Sequence, residues 1–265
     1  MTEPFVQLED EGILWINKWM KDTNIVAGFT TREGGYSIPP YESNNMGFHV
    51  EDDPAAVLTN RKKLADTISL PLNKWVVGEQ VHGNEVQIID TNDRASGAFT
   101  KDNAIPEIDG LITKEKDIVC AALFADCVPL FFADKKKGIV GISHAGWKGT
   151  VANIANKTVE RFKDLSSDPK DIEVVIGPSI SKDNYQVNDH VIRHIDPKYA
   201  DCYEGENGQY QLDLQCLNNQ LLLDAGISPG HIHKTAYCTY HHSAFFSHRR
   251  DQHPTGRMLG FIALR

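Results

Sequence analysis

Two nearly continuous apolar runs, Ile118–Phe124 and Val128–Ala133, are separated only by Ala125, Asp126 and Cys127, and a third, Ile139–Ser143, follows the charged turn 134–138. Strands that lack an apolar/polar alternation are buried on both faces. Three such runs in close succession therefore require cover on both sides. That constraint is hard to reconcile with an all-helical or an extended fold. It also makes the polar residues at the ends of these runs conspicuous.

Further short runs rich in β-branched and aromatic residues predict strands at Ile25–Thr30, Trp75–Gln80, Glu85–Ile89, Ile172–Ile176 and Leu259–Leu264. Three helices are indicated. The first follows Asp53-Pro54, an N-cap and N1 pair, with Val57, Arg61, Leu64, Ala65 and Ile68 on one stripe. The second runs from about Thr150 to Phe162. The third follows Asp213 and stops at Gly226. Strands and helices do not alternate strictly, so the expected class is mixed α+β, with β-sheets flanked by helices. No linker divides the 265 residues, and one domain over 1–265 is the simplest organisation. Segments 92–107 and 201–209 read as surface loops.

The net charge of −9 argues against a nucleic-acid partner, though a local basic pocket for a small anion remains compatible with it. No run of eighteen apolar residues offers a membrane span, and the acidic N-terminus lacks a signal-peptide pattern. The five cysteines are odd in number and sparsely spaced, so a disulfide framework is not expected and a reducing cytoplasm is the natural setting.

Three ligand-type residues terminate apolar strands: His82 in Gly78–Gly83, Cys127 in Phe124–Pro129 and His144 in Ile142–Thr150. Two imidazoles and a thiolate suit zinc, or copper, and three protein ligands leave one position open, the pattern of catalytic rather than structural sites. The spacing alone equally admits two hydrogen-bonded core histidines and a buried thiol. Arg249, Arg250 and Arg257 form a basic cluster compatible with an anion pocket or with a solvated turn. Arg61 falls on the apolar stripe of its helix, which requires a partner or a ligand. Asn45–Val50 precedes that helix. Gly146–Thr150, with Lys148, reads as a turn into a helix. His241, His242 and His253 sit in a polar segment and are discounted as ligands.

Taken together, Gln80-Val81-His82-Gly83, Ala125-Asp126-Cys127-Val128-Pro129, His144-Ala145-Gly146-Trp147 and Phe246-Ser247-His248-Arg249-Arg250-Asp251 resemble the YfiH/YlmD family. Asn45–Val50, Asp52-Asp53-Pro54, Asn60-Arg61, Asp109-Gly110, Gly177-Pro178 with Tyr185, and Thr255-Gly256-Arg257 extend the likeness over nearly the whole chain, in order. That family was called multicopper polyphenol oxidase, or laccase-like, and is now regarded as purine nucleoside phosphorylase. The chain departs from it at His248, where the family often has Tyr, and at Ser179, where it often has Cys or Ala. The resemblance implies one domain, and zinc on His82, Cys127 and His144. It further implies phosphorolysis of adenosine, guanosine, inosine and methylthioadenosine, with adenosine deamination at the same site.

Within that expectation, Asn45, Arg61, Lys148, Arg249 and Arg250 are substrate-binding candidates, the four cationic ones for phosphate. His49 and Asp126 are candidates for proton transfer. Two other functions compete. One is a copper phenol oxidase, although His231-Ile232-His233 is the only H-x-H pair. The other is a cysteine hydrolase with Cys127 as nucleophile and His144 as base.

Overall fold

The computed structural model describes residues 2–8, 12–21, 24–252 and 254–265. His253, discounted above, lies outside them. The long apolar runs form the middle of two stacked six-stranded sheets. The first has the spatial order Phe5–Gln7, Ile13–Ile16, Ile25–Thr30, Met258–Leu264, Val119–Phe124, Trp75–Val77. The second runs Ile232–Lys234, Glu173–Ile176, Val128–Asp134, Ile139–Ala145, Gly110–Thr113, Val86–Ile88. Both contain parallel and antiparallel pairs. The mixed α+β class is therefore the observed one, and all eight expected strands exist, several shifted by one to three residues at an end, Trp75–Gln80 being reduced to Trp75–Val77.

Burial on both faces has a direct origin in strand parity, since successive side chains point to opposite sides. In the first sheet Cys120, Ala122 and Phe124 face inward to meet Phe131, Ala133 and Ile142 of the second. Their neighbours Val119, Ala121 and Leu123 face outward, where Leu64, Ala65 and Ile68 from the Pro54–Thr67 helix region cover them. In the second sheet Val128, Leu130 and Phe132 face outward onto the helices Ile154–Asp164 and Leu214–Asp224. The layers are thus helix, sheet, sheet, helix. Each fully buried Leu, Ile or Phe contributes roughly 1.5–3 kcal/mol.

The expected helix ends are present at Asp53, whose carboxylate accepts from Ala55 N, and at Asp213, which accepts from Cys216 N. Three expectations are corrected. The helix read over 150–162 is two helices, Trp147–Val151 and Ile154–Asp164, because Asn153 adopts a left-handed conformation and caps the second by accepting from Asn156 N. Segment 201–209 is not a loop. Tyr203–Glu206 and Gln209–Leu212 pair as a hairpin turning at Asn207-Gly208, both at positive φ, and Gln186–Val187 adds a third strand. Finally, Cys202 and Cys216 are joined as a disulfide. The Asp213 N to Cys202 O hydrogen bond folds the hairpin back onto the first turn of the following helix, so two cysteines that looked isolated in sequence become neighbours. Among the described residues no helix is long and apolar enough to cross a membrane.

Arg61 is 1% exposed. Its guanidinium donates to the carbonyls of Met46, Gly97 and Ala98 and lies 4.4 Å from the Phe48 ring centroid. It therefore ties segment 46–48 and the 92–107 loop to the helix. Replacing Arg61 with Leu strips these carbonyls of their donors and should cost about 2–4 kcal/mol. At this chain length that corresponds to a fall in thermal midpoint of roughly 5–10 °C. An unchanged midpoint in a calorimetric scan would contradict this role.

Candidate metal centre

The chain crosses between the two sheets at one edge of the sandwich; two ligand-type residues, His82 and Cys127, lie on those crossings, and His144 lies at the end of a strand beside them. Residues 125–127 link Val119–Phe124 of the first sheet to Val128–Asp134 of the second, with Asp126 at φ +85° making the turn. Val128 pairs with Ala145 and Pro129 with His144, so the ladder register sets Cys127 beside the end of the His144 strand. His82 lies on a second crossing in the same direction, between Trp75–Val77 of the first sheet and Val86–Ile88 of the second, at φ +61°. One donor atom from each of His82, Cys127 and His144 lies within 4.8 Å of the others, and among the described residues this is the one three-donor cluster of its kind. His144 is buried, Cys127 half-buried and His82 exposed, so the cluster is walled on one side and open on the other.

Behind it stands Asp109, 2% exposed. Its carboxylate meets His144 Nδ1 at 2.8 Å and accepts from the backbone N–H groups of Val81, His82 and Gly83. Its carbonyl accepts from His144 N. A carboxylate on Nδ1 leaves Nε2 as the metal-facing atom and fixes the ring, as is usual for ligating histidines. Burial alone would raise the pKa of Asp109, but the His144 contact and the Gly83 and Val81 amides outweigh it and hold the group ionised. Burial likewise pushes the Cys127 thiol up, yet the charges and hydrogen bonds of His144 and His82 bring it down to about 6. His144 rises to about 9: burial opposes its charge, while Cys127 and Asp109 favour it. A thiolate already stabilised at neutral pH is the form that binds a metal.

Two glycines shape the cradle. A Cβ on Gly146 would sit 2.9 Å from the His82 ring and 3.1 Å from Cys127 Sγ, filling the space between ligands. One on Gly149 would strike the Gly83 carbonyl at 2.5 Å, so close packing of the Trp147–Val151 helix on the His82 crossing requires glycine there. The donor set, the orienting carboxylate and this cradle all fit a metal ion on the three residues.

The other expected site residues divide. Asp126 is buried and saturated: its carboxylate accepts from Thr239 Oγ1, Ser247 Oγ and Arg249 N. It anchors the 239–249 segment beside Cys127. Asn45 is equally committed, to Gly47, Asp52 and Arg257 N. Arg250 donates to Asp251 and to the carbonyls of Thr239, Tyr240 and Phe245, bracing that loop. Arg249 stacks on Tyr185 with 5.1 Å to the ring centroid. Lys148 is exposed at the start of its helix, 5.9 Å from the Trp147 ring centroid. His49 is exposed, yet the protein packed around its ring and then the charges of Arg257 and Arg61 push its pKa down to about 4. His241, discounted as a ligand, pairs with Asn184.

Asp109 and Arg257 carry more of the site than their sequence context suggested. Arg257 packs against Gly47, and the Cys127 and Asp126 charges act on its guanidinium, against the larger effect of burial.

Fold and centre together define an α+β protein with a two-histidine, one-cysteine metal-type site at the rim of a sandwich. The chain belongs to the family described as multi-copper polyphenol oxidoreductase laccase, whose model matches residues 26–265. Among curated proteins it is 43% identical to "Purine nucleoside phosphorylase YlmD" of Bacillus subtilis (strain 168), over 95% of this chain and 92% of that one. It is 44% identical to the protein of the same name from Geobacillus stearothermophilus, over 91% and 90%. Solved structures agree. The Bacillus licheniformis hypothetical protein YfiH superposes with a TM-score of 0.95 at 42% identity, and YlmD from Geobacillus stearothermophilus with 0.95 at 40%, each covering 100% of both chains.

Two outcomes follow for the centre. In metal-stripped protein, Cys127 should react with iodoacetamide along a pH profile whose midpoint lies near 6, against about 8.5 for an ordinary thiol. A midpoint above 8 would contradict the thiolate–imidazolium pairing. Asp109→Asn should weaken metal affinity by roughly 10–100-fold, measured by competition with a chromogenic chelator. Wild-type affinity in that variant would remove Asp109 from the centre.

Proposed function

We propose that the protein is a zinc-dependent purine nucleoside phosphorylase acting on adenosine, guanosine, inosine and methylthioadenosine, with adenosine deaminase activity at the same centre. The observation that carries the reading is the full-length similarity to relatives named purine nucleoside phosphorylase, coincident with a three-donor centre open on one side. Two imidazoles and one thiolate favour zinc, held by His82, Cys127 and His144. When bound there, zinc supplies Lewis-acid chemistry and lowers the pKa of water to about 7, as deamination needs.

Phosphorolysis breaks the bond from C1′ to the purine nitrogen and forms one from C1′ to a phosphate oxygen. The bonding pair leaves with the purine, and the proton carried by hydrogen phosphate balances the departing base. The sugar acquires oxocarbenium character, by analogy with other glycosyl cleavage. Arg257, beside Cys127 and Asp126, Arg249, on a cleft of about 440 Å³ that it lines with Trp147 and Tyr185, and Lys148, exposed next to Trp147, are the cations available to hold the dianion. His49, neutral above about pH 4, is suited to accept and relay a proton rather than to start as a donor. Asp126, Asn45, Arg61 and Arg250 act through position: their polar atoms hold the segments that carry the cations and Cys127. Nucleosides and inorganic phosphate are the partners, which supports a cytoplasmic setting.

A second reading keeps copper on the same three residues and makes the protein a phenol oxidase, as the family description has it. Further copper centres would need more histidines than the single cluster among the described residues provides. Cysteine-hydrolase chemistry would instead leave Cys127 free of metal.

Cys127→Ala should lose both the bound metal and at least 100-fold in inosine phosphorolysis and adenosine deamination, followed by product chromatography. Loss of metal with both activities intact would overturn the shared centre. Oxygen uptake on a phenol by metal-defined wild-type protein, without phosphorolysis, would favour the oxidase.

A further inference from the structure

Gln80 stands at the start of the His82 crossing and offers no ligand atom to the centre. Its neighbours Glu79 and Val81 are exposed, but Gln80 itself is half-buried. Its side-chain amide turns back onto the first sheet. There Oε1 accepts from Leu123 N at 2.7 Å, and Nε2 donates to Leu123 O at 2.9 Å.

These two bonds continue a ladder. Strand Trp75–Val77 runs parallel to Val119–Phe124, and Val77 beside Ala121 is their last pair. The chain then leaves the sheet at Gly78, packed so closely that a Cβ there would lie 2.6 Å from the Ile108 carbonyl. Leu123, two residues beyond Ala121, pairs with Leu259 on its other side. On this side the Gln80 amide takes the place of a backbone neighbour. A carboxamide presents a donor and an acceptor side by side, as a peptide group does, whereas an ionised Glu only accepts and a Met donates nothing.

The place of the bond gives it a consequence for the ligands. Gln80 is two residues before His82, and Leu123 is four before Cys127. The pair therefore joins the two ligand-bearing segments at the point where both leave the first sheet. Asp109 holds the far end of the crossing by accepting from the amides of Val81, His82 and Gly83. It sets the direction of His82, while the Gln80 amide sets how far the crossing stands from the Cys127 turn.

We infer that Gln80 is a positioning residue of the metal centre: its amide holds the His82 crossing to the strand that leads into Cys127, and so fixes the separation of those two donors. The inference rests on the metal centre proposed above and adds a residue that acts through His82 rather than on the metal.

A double-mutant cycle tests it. Zinc affinity is measured by competition with a chromogenic chelator for wild type, Gln80→Met, His82→Ala and the double variant. Methionine keeps the length of the side chain and removes both hydrogen bonds. Gln80→Met should weaken zinc binding by about 10-fold, the lower end of the range for groups that orient ligands. In the His82→Ala background the same change should cost less than about 2-fold, because the ligand through which Gln80 acts is gone. Cobalt(II) in Gln80→Met should keep the charge-transfer band of the Cys127 thiolate and shift its visible ligand-field bands. Gln80→Asn, shorter by one methylene, should show the same pattern if Gln80→Met does not fold. Val119→Ala, in the same strand but away from the crossing, should lower the thermal midpoint and leave zinc affinity and the cobalt spectrum unchanged. Equal losses in the two backgrounds, wild-type affinity in Gln80→Met, or the same loss from Val119→Ala would overturn the positioning role and leave the centre standing. If wild type takes up neither zinc nor cobalt, the centre itself fails and this inference with it.

Discussion

One buried carboxylate organises the centre. Asp109 receives His144 through its ring nitrogen and the His82 crossing through three consecutive amides. Four donors converge on one group that burial would otherwise neutralise, and their combined pull keeps it charged. Two ligand-type residues, one at a strand end and one on a crossing, are thereby referred to a single fixed point. Without it, His82 would stand on an exposed loop at positive φ with nothing to define its direction.

The sandwich supplies the third ligand by geometry. Because Cys127 immediately precedes a strand paired to that of His144, its position follows from ladder register rather than from loop conformation. Glycine at 146 and 149 then lets a short helix approach closely enough to close the cradle. The same helix begins with Trp147, so the elements that build the metal-type centre also build a wall of the adjoining cleft. Binding and chemistry are mechanically joined through a few residues.

Much of this was legible in the chain itself. Apolar runs interrupted by Asp126-Cys127 and ending at His144 pointed to strands buried on both faces and to ligand-type residues at their ends, which are costly there without a role. What escaped was long-range. Asp109 reads as an ordinary acid before a strand, and its partners lie 26–35 residues away. Arg249, Arg250 and Arg257 look alike in sequence, yet only the folded chain decides that Arg250 is consumed by carbonyls while Arg257 faces the charges of Cys127 and Asp126. Arg61 on an apolar stripe correctly signalled a buried partner, but the partners were backbone carbonyls. The Cys202–Cys216 bridge depends on a hairpin whose strands are too short and polar to signal themselves.

At the proposed centre a metal ion is held by two imidazole nitrogens and the Cys127 thiolate. X-ray absorption at the metal edge, on stoichiometrically loaded protein, reports that shell directly. For zinc, one sulfur at about 2.3 Å and two imidazole nitrogens at about 2.0–2.1 Å are expected, with the sulfur lost in Cys127→Ser. A shell of nitrogen and oxygen only in the unaltered protein would contradict it.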